Sequence, residues 1–346
     1  MAYTDTLNPF SRELLVSWER MPHEYVSINV DAFIRTARAD SRERKFTLPV
    51  GSEPGLEPAD HGAFVTYLFW ESVVNFCFSH PYVRRVFTVR GRNGKRWSGS
   101  SALYVCFYRR FGGQPIFADD IFPIVDSLQK TKRFFAGEHY IPLAGERREL
   151  LLEAAAVVKD RFDGDPRHIV EAGHHRAFGG QDRLGIVEML VNYFPKAFGT
   201  DAATVTIGDE KRRLHFMKRA QLFVMLYHRH AVASGGALHP LSDIGALGPI
   251  LDYELPRGYR ADGVLQYEPE LEHLIASREP IPSKSPMEIE LRLATAWAFA
   301  HELNIVNDIR EVSGEPPIGV PELDYTRWSY SQSVALNHHI CLTTDY

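Results

Sequence analysis

Leu214-His215-Phe216-Met217-Lys218-Arg219-Ala220-Gln221 begins the stretch of sequence that decides the fold. An apolar run continues it to Tyr227, and a break at Ser234-Gly235-Gly236 separates it from a second apolar segment, Leu241 to Pro256. Glycine and proline between two apolar segments end one helix and allow the chain to reverse. The stretch therefore predicts a helical hairpin, and Asp252 near its end predicts that the hairpin carries an acid to a pocket.

The first arm of this hairpin has an apolar stripe at helical spacing, formed by Phe216, Ala220, Phe223 and Tyr227. Such a stripe marks the buried face of a helix. Lys218 and Arg219 fall off the stripe, so we expect both side chains to face solvent or an anion.

Asp252 lies between Leu251 and Tyr253 and shortly before Pro256. Apolar and aromatic neighbours make the ionisation of a carboxyl group costly unless a cation, or developing positive charge, lies nearby. Asp252 is therefore a candidate catalytic residue. The alternative is structural, because an aspartate near a Gly-Pro turn is also a common helix cap, and the sequence leaves both open.

The composition is that of a soluble globular protein. With 346 residues, the chain has room for one large domain or two smaller ones. Its net charge of -5 argues against a protein that grips long nucleic acid, because such binding needs a clustered basic face. We expect no direct nucleic-acid partner, whereas a small phosphorylated ligand is compatible with this charge.

Cys77, Cys106 and Cys341 are widely spaced and form no Cys-x-x-Cys pair, so the sequence predicts neither a disulfide framework nor a zinc ribbon. They fit a reducing, cytoplasmic setting. Met1 to Phe10 lacks the basic and apolar segments of a secretory signal. No apolar run approaches the roughly 20 residues needed to cross a bilayer, so we expect a soluble protein without a membrane partner.

Fifteen histidines raise the question of a metal, but none stands in a His-Glu-x-x-His pattern. His228 and His230 are two positions apart on a predicted helix and point in different directions. The pairs His174-His175 and His338-His339 have no acidic partner at ligand spacing. We therefore expect no metal ion and no other cofactor.

Other segments predict further helices and one pair of strands. Val26 to Asn29 reads as a short extended entry into a helix, and Phe64 to Phe78 as apolar core. Arg92-Asn93-Gly94-Lys95, between the apolar runs of Val86 to Tyr104, is typical of a β-hairpin. Ser285-Pro286-Met287-Glu288 has the serine cap, early proline and glutamate of a helix start.

The fold class follows from these segments. Arg167 to Gln181 is polar and reads as a surface excursion, and no internal repeat or convincing linker divides the chain. The sequence therefore predicts one domain over residues 1–346, with 1–24 as an N-terminal extension, in a mainly α fold with a small β-hairpin.

The C-terminal segment Pro321 to Tyr330 places Asp324 close to the aromatic residues Tyr325 and Trp328. Flat aromatic rings stack on nucleobases, and an adjacent aspartate accepts hydrogen bonds from the amino edge of a base. The segment is therefore a candidate base-binding site. The alternative is that Tyr325 and Trp328 only pack the C-terminus onto the core.

Together these segments resemble the queuosine salvage protein family, the queuosine 5′-phosphate N-glycosylases that release the base queuine. The matching pieces run from about Tyr25 to Tyr346. The most specific are Lys218-Arg219-Ala220-Gln221 and Asp252-Tyr253 followed by Leu255-Pro256. The others are Val74-Asn75-Phe76-Cys77-Phe78, Ser98-Gly99, Pro142-Leu143, Glu146-Arg147, Arg161-Phe162-Asp163-Gly164, Tyr193-Phe194-Pro195, Ser242-Asp243-Ile244, Glu288-Ile289-Glu290-Leu291-Arg292, Trp297, Leu323-Asp324-Tyr325 and Trp328.

The resemblance implies a fold like that of the helix-hairpin-helix DNA glycosylases. It also implies hydrolysis of the bond between a 7-deazaguanine base and ribose 5-phosphate, with queuosine 5′-monophosphate as substrate and queuine as product. In the family, the aspartate that matches Asp252 serves as nucleophile or stabilises the oxocarbenium-like transition state. A partly desolvated carboxylate suits this chemistry, because positive charge builds on the ribose as the bond breaks.

The resemblance also assigns residues to the substrate. Asp324 and Tyr325 match the Asp-Tyr pair that contacts the base, and Tyr253 lies in the motif of the catalytic aspartate. Ile250 stands where the family has a phenylalanine against the base, and Ser329 where it has a second aspartate. These two departures can shift base recognition.

Two residues are assigned to the phosphate and one position stays unmatched. From charge and position, Lys218 or Arg219 is a candidate for attracting the 5′-phosphate, whereas a solvated helix face is the structural alternative for Lys218. The family's ligand-contacting histidine upstream of Asn75 has no match, because His61 is out of register.

Two other functions remain open at this stage. A DNA-repair glycosylase of the same fold would need a basic groove and an iron-sulfur or extended hairpin contact, and the net negative charge and the lack of clustered cysteines argue against it. A non-catalytic deazapurine nucleoside-binding protein is the other alternative, and Ser329 and Ile250 suggest it.

Overall fold

The protein is described from a computed structural model, which covers residues 2–43, 46, 56–81, 85–91, 94–180 and 183–346. In chain order the elements are α1 (Tyr3–Thr6), α2 (Pro9–Arg20), β1 (Val26–Ile28), α3 (Val30–Glu43), α4 (His61–Val73), β2 (Ser79–His80), β3 (Arg85–Val86), β4 (Thr88–Arg90), β5 (Arg96–Ser98), α5 (Gly99–Phe111), α6 (Ala118–Val125), α7 (Leu128–Phe134), α8 (Ala144–Arg161), α9 (Arg167–Ala172), α10 (Ile186–Tyr193), β6 (Ala202–Ile207), β7 (Glu210–His215), α11 (Lys218–Ala233), a 3₁₀-helix (Ile244–Ala246), α12 (Glu254–Ala261), β8 (Leu265–Tyr267), α13 (Pro269–Ser277), α14 (Pro286–Val312) and α15 (Val320–Ser333). The prediction of a mainly α protein is confirmed. Over the described residues, no helix has both the length and the apolar character needed to cross a membrane.

The expectation of a single small β-hairpin is wrong. Among the described residues there are four two-stranded antiparallel sheets, β1–β8, β2–β3, β4–β5 and β6–β7. The predicted hairpin corresponds to β4–β5, although Arg92 and Asn93 of its turn lie outside the described residues. The longest pair, β6–β7, turns at Gly208-Asp209, and Gly208 has a φ of 60° that suits glycine. A Gly-Asp pair between alternating runs is a hairpin signal that could have identified it.

The chain divides into two compact units, each built from separate segments. Unit 1 comprises Met1–Pro49, Asp201–Lys218 and Asp243–Leu342, and unit 2 comprises Val50–Thr200, Arg219–Ser242 and Thr343–Tyr346. The assignment of residues 1–346 to one domain, with 1–24 as an extension, stays a prediction.

The central helix of unit 1 is α14, which packs against α2, α3, β1 and α12. Its predicted start is confirmed, because the Ser285 hydroxyl accepts a hydrogen bond from the Glu288 backbone N–H at 3.4 Å. Leu291, Ala294 and Phe299 are fully buried along it. Glu290, also buried, accepts backbone hydrogen bonds from the three residues 24–26, which fixes the chain as it enters β1.

Helices α12 and α15 of unit 1 pack closely and run antiparallel. Gly258 faces Ser331, and an added Cβ at Gly258 would lie 2.3 Å from the Ser331 hydroxyl oxygen. Arg257 donates to the Val334 carbonyl near one end, whereas Arg327 binds Asp262 at 2.6 Å near the other. Glycine at position 258 is therefore required for this close approach.

The second arm of the predicted hairpin is not a helix. The first arm is confirmed as α11, but the following chain forms only a 3₁₀-turn before α12 begins at Glu254. Backbone carbonyls of the arm are bound by unit 1 side chains instead, since Asn8 donates to Ala246 at 2.8 Å and Tyr3 to Leu247 at 2.6 Å. Gly245, Gly248 and Pro249 oppose a helix here.

In unit 2, two buried arginines bind backbone carbonyls at the end of α4 and in the irregular segments of the chain. Arg147 is fully buried and donates to the carbonyls of Val74, Phe76 and Cys77. Arg219 is 2% exposed and donates to the carbonyls of residues 72, 73 and 197. The expectation that Arg219 faces solvent is therefore wrong, because backbone carbonyls without partners in a helix or strand bind its charge.

The segment Arg167 to Gln181 is not a surface excursion. It contains α9, and the side chains of Ile169, Val170, Ala177 and Phe178 are buried in unit 2. Several polar residues stand between these apolar ones, so the sequence did not indicate that the segment contributes to the core. Gln181 itself lies outside the described residues.

Candidate functional site

Asp252 lies in unit 1, two residues before α12. Its Oδ1 atom accepts a hydrogen bond from the Glu254 backbone N–H at 2.8 Å, and its Oδ2 atom lies 4.0 Å from the Lys218 Nζ atom. The side chain is 14% exposed. Asp252 thus binds the first N–H group of α12, although Tyr253 is the N-cap residue of that helix. This hydrogen bond fixes the carboxylate so that its second oxygen faces a cation.

Lys218 is held beside Asp252 by its own backbone. The residue is the first of α11, and its N–H donates to the Asp201 Oδ2 atom at 2.8 Å. Its side chain is only 4% exposed, so the structural alternative of a solvated helix face is wrong, and the side chain faces an anion, Asp252. A buried ammonium group requires a compensating anion, and Asp252 provides one.

The sequence did not predict the ion pair between Arg292 and Asp201, which holds the backbone of Lys218 in place. Arg292 on α14 donates to both oxygens of Asp201, at 2.6 and 3.0 Å, and its guanidinium lies 3.9 Å from the Phe216 ring centroid. Arg292 is also 3.7 Å from Glu288. Bidentate pairing fixes orientation as well as distance. Asp201 and Arg292 therefore position the start of α11.

The site contains two neighbouring carboxyl groups, those of Asp252 and Glu254, and burial raises the pKa of both. Burial raises the pKa of Asp252, whereas Lys218, the N–H groups of the α12 start and Arg292 lower it. Burial, and then the charge of Asp252, raises the pKa of Glu254 to about 7, although Arg257 opposes this from 3.1 Å. Burial and the charge of Asp252 thus favour the protonated form of Glu254, whereas Lys218 favours the charged form of Asp252.

Tyr253, the next residue, packs against His338. The rings of Tyr253 and His338 are 4.5 Å apart at 31°. Burial, followed by the charges of His339, Arg257 and Arg278, lowers the pKa of His338 to about 3. Burial and Arg292 lower the pKa of His339 to about 3 as well. Both imidazoles are therefore neutral at physiological pH.

These two histidines predict a loss of stability in acid. An unfolded histidine takes up a proton below a pKa of about 6.5, whereas the folded groups resist protonation until about pH 3. The unfolding free energy should therefore fall with pH below about 6.5, by up to about 1.4 kcal/mol per unit for each histidine. Urea unfolding between pH 7 and 5 should show a shallower slope for His339→Gln. The exposed His273→Gln variant should keep the wild-type slope, and equal slopes in all three proteins would contradict the prediction.

The other predicted substrate residues have definite positions in unit 1. Asp324 lies on α15 and is 7% exposed. Burial, and then the charge of Asp324, raises the pKa of Tyr3, whose hydroxyl donates to the Leu247 carbonyl. Ile250 is 2% exposed. The Tyr325 and Trp328 rings are 6.2 Å apart. The buried Ser329 hydroxyl has no hydrogen-bond partner among the described residues. Joint binding of one ligand by these residues and Asp252 stays a prediction.

His61 and the remaining histidines do not form a metal site among the described residues. The Nδ1 atom of His61 lies 2.9 Å from the Nε2 atom of His230, whose ring stacks on Phe64 at 3.6 Å. No group of three or more potential metal ligands occurs in the part of the chain that the structure describes.

Comparison with known proteins agrees with the resemblance. A family model for the queuosine salvage protein matches residues 56–344. A relative from Sphaerobacter thermophilus, named queuosine 5′-phosphate N-glycosylase/hydrolase, is 31% identical over 273 residues, which cover 79% of this chain and 78% of the relative. A relative of the same name from Dictyostelium discoideum is 26% identical over 211 residues, or 60% of this chain and 59% of the relative. One from Schizosaccharomyces pombe is 27% identical over 167 residues, or 48% of this chain and 44% of the relative.

Proposed function

Because this chain belongs to the queuosine salvage protein family, we propose that it hydrolyses the N-glycosidic bond of queuosine 5′-phosphate and releases queuine. The observation that carries the proposal is the buried carboxylate of Asp252, held by a helix start and faced by Lys218 at 4.0 Å. The names of the relatives support the substrate.

The chemistry follows from the charge of Asp252. As the bond between the base and C1′ breaks, its electron pair leaves with the base and positive charge develops on the ribose. A carboxylate that is fixed before the reaction and shielded from water stabilises this charge strongly. Water then adds its hydroxyl group to C1′, and the departing base gains a proton. Ribose 5-phosphate is the second product.

Lys218 acts on Asp252 in this proposal. Its ammonium group favours the ionised form of a carboxyl group whose pKa burial raises. The burial of Lys218 and its ion pair with Asp252 at 4.0 Å favour this role over capture of the 5′-phosphate. The hydrogen bonds from Arg219 to backbone carbonyls likewise favour a structural role for that residue.

Asp324 and Tyr325 hold the base in this proposal, together with Ile250 and Tyr253. Asp324 is 7% exposed, and its charge adds to burial in raising the pKa of Tyr3, whose hydroxyl donates to the Leu247 carbonyl five residues before Asp252. These contacts support a ligand that Asp252 holds at its sugar and Asp324 holds at its base.

The proposal includes a fold and a cellular compartment for the protein. The mainly helical fold supports a helix-hairpin-helix glycosylase-like architecture. The three cysteines are free and buried, which suits the reducing cytoplasm.

The direct test is incubation of the purified protein with queuosine 5′-monophosphate and detection of the products by mass spectrometry. We expect free queuine and ribose 5-phosphate in equal amounts. Tight binding of the nucleotide without release of queuine over hours would contradict hydrolysis and favour a non-catalytic binding protein.

Substitution of Lys218 by methionine tests the role of the cation. We expect kcat/KM to fall by about 100-fold, because a stabilising charge is lost from a buried site. Since Lys218 lowers the pKa of Asp252, the acid limb of the pH profile should move to higher pH. Lys211→Met, at an exposed position of unit 1, is the control and should behave as wild type. An unshifted acid limb would contradict the assigned role.

A further inference from the structure

We propose that unit 2 contains a binding site for a phosphorylated small molecule of nucleotide size, in a pocket bordered by α8, α9 and α10. The pocket has a volume of about 500 Å³, which lies within the range typical of small-molecule sites. The residues that line it include Arg161, His174, Arg183, Leu184, Met189 and Tyr193. None of these residues belongs to the proposed hydrolytic site.

The charge of the pocket wall is one-sided. Arg161, Arg183 and His174 line it, and its lining includes no aspartate or glutamate among the residues that the structure describes. Within the described ranges, neither guanidinium has a carboxylate at ion-pair distance. Arg167 of the same unit shows the contrast, because it binds Asp165 at 2.5 Å. Guanidinium groups without a carboxylate partner are suited to bind phosphate through paired hydrogen bonds.

Both cationic groups are already positioned. The Arg161 guanidinium lies over the Tyr193 ring, 4.8 Å from its centroid, and an Nη atom of Arg183 lies 3.4 Å from the His174 Nε2 atom. Contacts of this kind restrict the side chains before a ligand arrives and so reduce the entropy lost on binding.

The turn that carries His174 is unusual. His174 and His175 have φ angles of 50° and 55°, a left-handed conformation that costs free energy in residues other than glycine. The buried Ile169 and Val170 of α9, just before the turn, attach it to the core. The turn after α9 thus presents a histidine to the pocket.

The apolar part of the pocket indicates the rest of the ligand. Leu184 is 40% exposed and offers apolar surface to a ligand, whereas Met189 and Phe162, each 5% exposed, are almost entirely covered. An isolated phosphate would bind the arginines and leave this surface in water. A ligand with a phosphate and a flat ring would cover both, which favours a nucleoside monophosphate.

The test is calorimetric titration with AMP, adenosine and inorganic phosphate as probes. We expect AMP to bind at least tenfold more tightly than either adenosine or phosphate. Arg161→Gln and Arg183→Gln should each weaken AMP binding at least tenfold, because each removes one phosphate contact. Both positions are exposed, so the melting temperatures should be unchanged.

Arg110→Gln is the matched control, because Arg110 is another exposed arginine of unit 2 that rests on an aromatic ring. It should bind AMP as wild type does. The proposal is overturned if AMP does not bind at millimolar concentration, if both pocket variants bind it as wild type does, or if phosphate binds as tightly as AMP. The readout is binding, so these outcomes are independent of queuine release.

Discussion

Replacing Asp252 by asparagine should lower kcat/KM for queuosine 5′-monophosphate by at least about a thousandfold, which corresponds to roughly 4 kcal/mol of transition-state stabilisation. The amide keeps the size of the side chain and an oxygen that can accept the hydrogen bond from Glu254. It removes only the negative charge. The variant therefore isolates the electrostatic contribution from that of the hydrogen bond.

The same substitution should leave the fold intact. The buried Lys218 ammonium group loses its anion, so the melting temperature should fall, while the protein stays folded at the assay temperature. Asp308→Asn on α14 is the control, because this residue is exposed in the same unit. It should retain full turnover. Turnover of Asp252→Asn within tenfold of wild type would refute the proposed mechanism.

Replacing Arg327 by methionine should reduce the unfolding free energy by about 3–5 kcal/mol, the cost typical of breaking a buried ion pair. Arg327 is 1% exposed and binds three carboxylates of unit 1, Glu302 at 2.7 Å, Asp262 at 2.6 Å and Asp40 at 3.1 Å. Without the guanidinium, three nearby negative charges lose their shared partner. Urea unfolding measures the loss.

The pH dependence of this loss is a separate check. Burial raises the pKa of Glu302 to about 7 even though Arg327 lowers it. Removing Arg327 raises that pKa further, so the folded variant binds the proton more tightly and its deficit relative to wild type should shrink from pH 8 to pH 5. Arg310→Met, which breaks a pair with the half-exposed Glu315, should cost less than about 1 kcal/mol. Equal losses in both variants would contradict the prediction.

Local signals in the sequence were sufficient for several elements. Ser285, Pro286 and Glu288 identify the start of α14 because a helix start is satisfied by side chains within one turn of it. The spacing from Phe216 to Tyr227 likewise identifies α11. The motif Asp252-Tyr253 followed by Leu255-Pro256 was enough to indicate the family and a candidate catalytic residue, because all of its residues lie within five positions of the sequence.

The tertiary structure alone decided which charges meet. Lys218 and Arg219 are adjacent in the sequence and look alike there, yet the first faces Asp252 and the second binds backbone carbonyls in unit 2. Asp201 and Arg292, which position Lys218, are 91 residues apart. Periodicity and capping describe interactions within a few residues, whereas the partner of a buried charge is set by the packing of distant segments. The sequence alone could therefore nominate the acid but not the cation that faces it.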